Sequence, residues 1–140
     1  MTATTAHAPS VTSTSASASM RRVLLADAVV TAGFGALALL APTSWFDAGW
    51  LPRAVGAVLL LVAVEVGLAS RWSGRRLRLA GTVTGELAVA WVIGALAVAV
   101  LVDLPTTGAV VLEVSAAVTV VFAVLELRLA RLMRADDGQS

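Results

Sequence analysis

The 140-residue chain is 59% hydrophobic and 14% charged, with a net charge of +1 at pH 7 and a mean hydropathy of +0.91. Soluble domains are usually about half apolar and about a quarter charged, so this composition argues against a soluble enzyme domain and favours a membrane protein. Because the chain has no cysteine and a single histidine, His7, we also expect no disulfide, no metal site, no cofactor and no enzymatic activity.

The apolar residues form four blocks, each close to the ~20 residues that a helix needs to cross a ~30 Å hydrocarbon layer. Residues 1–20 are rich in Ala, Ser and Thr and predict a disordered cytoplasmic tail, and residues 133–140 predict a polar cytoplasmic tail. Between them, residues 21–132 predict an all-α membrane domain, a four-helix antiparallel bundle. Its predicted helices cover residues 22–41, 53–70, 79–102 and 108–129.

The two halves of this domain resemble each other. Asp27 precedes Gly35 at the same spacing at which Glu86 precedes Gly94, and similar apolar residues follow both glycines. This pattern favours two tandem helical-hairpin repeats, related by an axis along the membrane normal. Chance similarity in a sequence biased toward Ala, Val and Leu is the alternative.

Basic residues follow the membrane topology closely. Nine of the ten lie at one end of the predicted helices, and only Arg53 lies at the other. The positive-inside rule makes the basic end cytoplasmic, so we expect both termini inside a bacterial cytoplasmic (inner) membrane. The loop between the second and third helices should attract anionic lipid head groups, and we expect no nucleic-acid partner. Its basic residues are Arg71, Arg75, Arg76 and Arg78.

Four carboxylates lie inside the predicted helices, near their cytoplasmic ends. Asp27 and Glu86 follow the starts of the first and third helices, and Glu65 and Glu126 precede the ends of the second and fourth. At ~1.5 Å rise per residue, all four fall in one layer about 5–12 Å below the inner interface. Acids inside a membrane are costly and often mark proton or cation pathways. Glu86 is the first candidate, because it lies deepest and has no basic residue within one turn.

Ion pairing is the structural alternative for these acids. Long arginine side chains can reach along the membrane interface to neutralise them, and the shallow depth of the layer favours this alternative. The arginines in reach are Arg22, Arg71, Arg78 and Arg128. On the outer side, we expect Arg53 to pair with Glu113 across the ends of the second and fourth helices.

Three short motifs carry a resemblance to a known family: Leu25-Ala26-Asp27, Pro52-Arg53-Ala54-Val55-Gly56 and Phe122-Ala123-Val124-Leu125-Glu126. With them, the chain resembles a family of uncharacterised small four-helix integral membrane proteins of the actinobacterial type. The resemblance implies a four-helix fold and a bacterial membrane location, and it implies no activity. The family often carries amides where this chain has Glu86, Glu113 and Glu126.

Two functions remain open from the sequence. The first is a non-enzymatic, helix-packing subunit or accessory module, surrounded by lipid, that packs as a homo-oligomer or against a larger membrane-protein partner. The alternative is a small proton- or cation-coupled transporter that uses Asp27, Glu86 and Glu126 as titrating groups.

Overall fold

The computed structural model describes residues 11–45 and 49–137, and four α-helices account for most of them. They are α1 (Val11–Leu40), α2 (Leu51–Ala69), α3 (Gly74–Leu101) and α4 (Thr106–Asp137), with a short 3₁₀ turn at Thr43–Trp45 after α1. All four are long and apolar enough to cross a membrane. The predicted all-α bundle of four membrane helices is therefore confirmed.

Proline and glycine mark the helix ends. Pro42 follows α1, Pro52 lies in the first turn of α2, and Pro105 directly precedes α4. Proline lacks a backbone N–H and is tolerated only outside a helix or in its first turn. Gly74 opens α3 with φ of +54°, a left-handed conformation that glycine adopts without the strain of a side chain.

Three helices extend further than predicted, each at its inner end. The predicted tail over residues 1–20 is helical from Val11 onward, while residues 1–10 lie outside the described residues. α3 begins at Gly74 rather than residue 79, so the expected basic loop lies largely on its first turns. α4 continues to Asp137 rather than ending at residue 129, so the predicted polar tail is helical as far as that residue.

Packing explains why the inner ends extend. Met20 and Leu77 are fully buried, and Met133 is nearly so. Together with apolar residues of all four helices, they form a core at the inner end of the bundle. Short Ala and Ser side chains made the first 20 residues resemble a disordered tail, but alanine is the best helix former. Burial of Met20 stabilises this part of α1 against unfolding.

The helices pair as two hairpins. The most extensive contacts are between α1 and α2 and between α3 and α4; α1 also packs on α4, whereas α2 and α3 barely touch. A two-fold axis along the membrane normal would make the α1–α4 and α2–α3 contacts equivalent. The bundle departs from that symmetry, because it is closed along the α1–α4 seam and open along the α2–α3 seam.

Candidate functional site

The four intramembrane acids lie at one level of the bundle. A Cβ atom added to Gly67 of α2 would lie 3.7 Å from Ala28 of α1, which aligns Glu65 with Asp27. A Cβ atom added to Gly85 of α3 would lie 2.9 Å from Cγ of Leu127 of α4, which aligns the other two acids, Glu86 and Glu126. Asp27 and Glu126 are also close enough to interact electrostatically across the α1–α4 seam.

The layer divides into two inner and two outer acids. Asp27 is 9% exposed and Glu126 is fully buried, whereas Glu65 and Glu86 are exposed. Glu86, the first candidate from the sequence, is therefore not one of the two buried acids. Its depth along α3 follows from the sequence, but helix packing turns it toward the outside of the bundle.

Glu126 is the most enclosed polar side chain in the layer. Neither Oε1 nor Oε2 has a hydrogen-bond partner among the described residues. Its neighbours along α4, one turn away on the same face, are the buried residues Ala123 and Ala130. A buried carboxylate without a partner costs several kcal/mol when ionised, so this position is stable only with a proton or a nearby cation.

Asp27 lies on the facing helix α1 and, unlike Glu126, accepts a hydrogen bond. The Thr31 hydroxyl, one turn along α1, donates a hydrogen bond of 3.2 Å to Asp27 Oδ1. Met20 and Leu24 continue the same buried face toward the inner end. Asp27 therefore lies where the apolar inner core ends and a cavity begins.

This cavity has a volume of about 540 Å³, and all four helices contribute to its wall. Asp27 is the one charged residue among those that line it. The Ser115 and Thr119 hydroxyls also line it, and they donate hydrogen bonds to the carbonyls of Leu112 (2.8 Å) and Ser115 (2.7 Å), respectively. Because the protons of these two hydroxyls are already donated, Ser115 and Thr119 present oxygen lone pairs to the cavity, an arrangement suited to cations and hydrogen-bond donors.

A second cavity of about 460 Å³ continues toward the outer end of the bundle. Phe34, Trp91 and Ser115 line both cavities, so the two lie next to each other along the bundle. The lining of the outer part is almost entirely apolar. We call the whole space the α2–α3 cleft, since it follows the seam where these two helices separate.

The predicted pair of Arg53 with Glu113 is not seen among the described residues. Arg53 and Glu113 are both exposed, and they lie on α2 and α4, which share no substantial contact. Arg22 and Arg128 are exposed as well and form no ion pair with Asp27 or Glu126. The two buried acids are thus not neutralised by these arginines.

Sequence reasoning missed the cleft and the complete burial of Glu126. A signal for that burial is present in α4, where small or polar residues recur at alternating spacings of three and four, the pattern of a packed helix seam. The residues of this seam are Ala116, Thr119, Ala123, Glu126 and Ala130. The cleft has no such signal, because it depends on two helices failing to meet.

These features define a small multi-pass membrane protein with a buried carboxylate site beside an intramembrane cleft. No family model, curated protein or solved structure matches the chain. The resemblance to small four-helix bacterial membrane proteins therefore stays a prediction, and function has to be argued from the site.

Proposed function

We propose that the protein is a small membrane transporter in which Asp27 and Glu126 exchange protons for a cation. One observation carries the proposal: Asp27 lies in the wall of a cavity bounded by all four helices, and the fully buried Glu126 lies within its electrostatic reach. Ionisable groups inside a membrane are costly, and where they face a cavity they typically belong to ion or proton pathways.

The exchange follows from the cost of burying charge. With no cation present, a proton on Glu126 removes an unpaired charge from the apolar interior. A cation beside Asp27 would be attracted by both carboxylates, and this attraction would favour the ionised form of Glu126 and release its proton. Cation binding and proton release are then two sides of one equilibrium, as linkage requires.

The orientation proposed for this transporter follows the basic residues. With both termini in the cytoplasm of a bacterial cell, the acid layer lies near the inner face of its cytoplasmic membrane. The cluster of Arg71, Arg75 and Arg76 is exposed at that end and would bind anionic lipid head groups. The chemistry proposed is binding and transfer, without an enzymatic step.

Flux in reconstituted vesicles tests the proposal. A potassium or sodium gradient should drive proton movement, read by a pH-sensitive dye trapped inside vesicles that contain the wild-type protein. Glu126→Gln and Asp27→Asn should each lower the rate at least tenfold. The matched control is Glu113→Gln, which makes the same chemical change at an exposed site on α4 and should keep the wild-type rate. Flux that persists in both inner variants would contradict the proposal.

The accessory-module function keeps one observation in its favour. Glu65 and Glu86 lie within the membrane-spanning helices and are exposed. A carboxylate on the outside of a membrane bundle is costly unless a partner donates a hydrogen bond or a positive charge to it. A homo-oligomer or a larger membrane protein would supply that partner. In-cell crosslinking should then capture a complex from wild-type cells and lose it with Glu86→Leu, whereas an uncrosslinked wild-type protein would count against this second candidate.

A further inference from the structure

We propose that the α2–α3 cleft is a lateral binding site for an amphipathic organic cation, which enters from the lipid and places its positive group at Asp27. This inference rests on the proposed function and names the class of substrate. Its basis is the shape of the cleft, the distribution of charge along it and the aromatic residues at its centre.

The cleft is reachable from the side of the bundle. α2 and α3 barely contact each other, and Val58 of α2 is 58% exposed although it lines the inner cavity. A ligand held in this cleft can therefore contact lipid and protein at the same time. Such a site suits molecules that first partition into the membrane.

Polarity changes from one end of the cleft to the other. Asp27, Thr31 and Thr119 line its inner part, whereas residues such as Val98, Leu104 and Val111 line its outer part. The polar atoms of the inner wall are a carboxylate and hydroxyl oxygens, so that end attracts positive charge and the other end accepts an apolar body. This is the complement of an amphipathic cation.

A second acid extends the negative end. On α2 the lining residues Val55, Val58 and Val62 follow one another at spacings of three and four, so they share one face of the helix. Glu65 is the next residue of that row, one turn toward the inner end, and its side chain is exposed. A cation that enters the cleft from the lipid would thus meet the exposed Glu65 at the same level as Asp27.

Aromatic residues lie where the two halves of the cleft meet. Phe34 of α1 and Trp91 of α3 line both cavities. Aromatic faces attract organic cations and also pack against apolar groups. Trp91 supplies a direct optical probe, because the intrinsic fluorescence of an indole changes when a ligand binds next to it.

The test uses two ions of nearly the same size and shape and opposite charge, tetraphenylphosphonium and tetraphenylborate. Binding is measured in lipid nanodiscs by fluorescence of a protein in which Trp91 is the one tryptophan left, after Trp45, Trp50 and Trp72 are changed to Phe. Partition into protein-free nanodiscs is subtracted. We expect the cation to bind at least tenfold more tightly than the anion.

Two variants of α2 locate the site. Val58→Phe fills part of the cleft without adding a second tryptophan, and it should weaken tetraphenylphosphonium binding at least tenfold. Val64→Phe adds the same side chain at a similarly exposed valine (62%) that does not line the cleft, and this variant should bind tetraphenylphosphonium as the parent protein does. Asp27→Asn should weaken binding of the cation tetraphenylphosphonium and leave binding of the anion tetraphenylborate unchanged.

The inference is overturned if the two ions bind equally, or if Val58→Phe binds tetraphenylphosphonium as tightly as Val64→Phe. Its failure is distinguishable from failure of the proposed function. If inorganic cation gradients drive proton flux but the protein does not bind tetraphenylphosphonium, the organic-cation substrate is ruled out and the proposed proton–cation exchange stands. Selective tetraphenylphosphonium binding without any proton exchange would support the site and overturn the transport proposal.

Discussion

α1 and α2 approach each other closely at Gly56, and a single methyl group there tests the hairpin. A Cβ atom added to Gly56 would lie 2.6 Å from the carbonyl oxygen of Gly35, 2.8 Å from the Leu39 nitrogen and 2.9 Å from Leu39 Cγ. Two of these three atoms belong to the backbone of α1, so they cannot rotate away. Gly56→Ala therefore requires the two helices to move apart.

The magnitude follows from two opposing contributions. Overpacking of a well-packed interior costs about 1–3 kcal/mol, and a clash with backbone places this variant near the upper end. Replacing glycine by alanine within a helix returns about 1 kcal/mol. We expect Gly56→Ala to lower the free energy of unfolding by about 2 kcal/mol, the difference between these contributions.

The assay is reversible unfolding in mixed micelles, in which a denaturing detergent is titrated and helix content is followed by circular dichroism. Gly33→Ala is the matched control, because a Cβ atom added there has nothing within 4 Å. That control should keep or slightly raise the wild-type stability. If Gly56→Ala unfolds at the same detergent fraction as Gly33→Ala, the α1–α2 interface described here is incorrect.

Three further predictions concern the site and the topology. Glu126→Met should raise the free energy of unfolding by about 1–3 kcal/mol, because it removes a buried polar group without a partner. The same variant should abolish proton exchange. A loss of stability in the same detergent titration would mean that Glu126 has a hydrogen-bond or ion-pair partner. Thr31→Val removes the hydrogen bond to Asp27 and should weaken cation binding by about 1 kcal/mol, roughly fivefold. Equilibrium dialysis measures this affinity, and an unchanged value would exclude a positioning role for Thr31. Because the chain has no cysteine, Ser73→Cys and Ser44→Cys can be labelled individually in intact cells. A membrane-impermeant maleimide should react with the cysteine at position 44 but not with that at position 73, and the reverse result would invert the proposed orientation.

The outer ends of the helices were predictable to within about two residues, because proline and glycine mark them. Three of the four inner ends were not, whereas the inner end of α2, at Ala69, was predicted to within one residue. Val11 and Gly74 begin their helices five or more residues before the predicted starts at 22 and 79, and α4 continues well beyond residue 129. Local composition at these ends is polar or small, but contacts such as the burial of Met20 and Met133 keep the chain helical.

The acids show most clearly what the sequence by itself determined. The position of four apolar spans follows from composition, and their helical form follows from the cost of placing unpaired backbone groups in lipid. The depth of each carboxylate along its helix follows in turn from the helical rise. The spans and the depth of each carboxylate depend only on residues near one another in the chain, so both can be derived from the sequence.

Only the tertiary structure decided which acids face inward. Asp27 and Glu86 occupy matching places in the two halves of the sequence, yet the first is buried and the second is exposed. In a soluble helix a polar stripe marks the outer face, but lipid is as apolar as the interior of the bundle, so these helices carry no such stripe. The closed α1–α4 seam and the open α2–α3 seam therefore set the burial of each carboxylate. A helix in lipid has a buried face only where other helices pack against it.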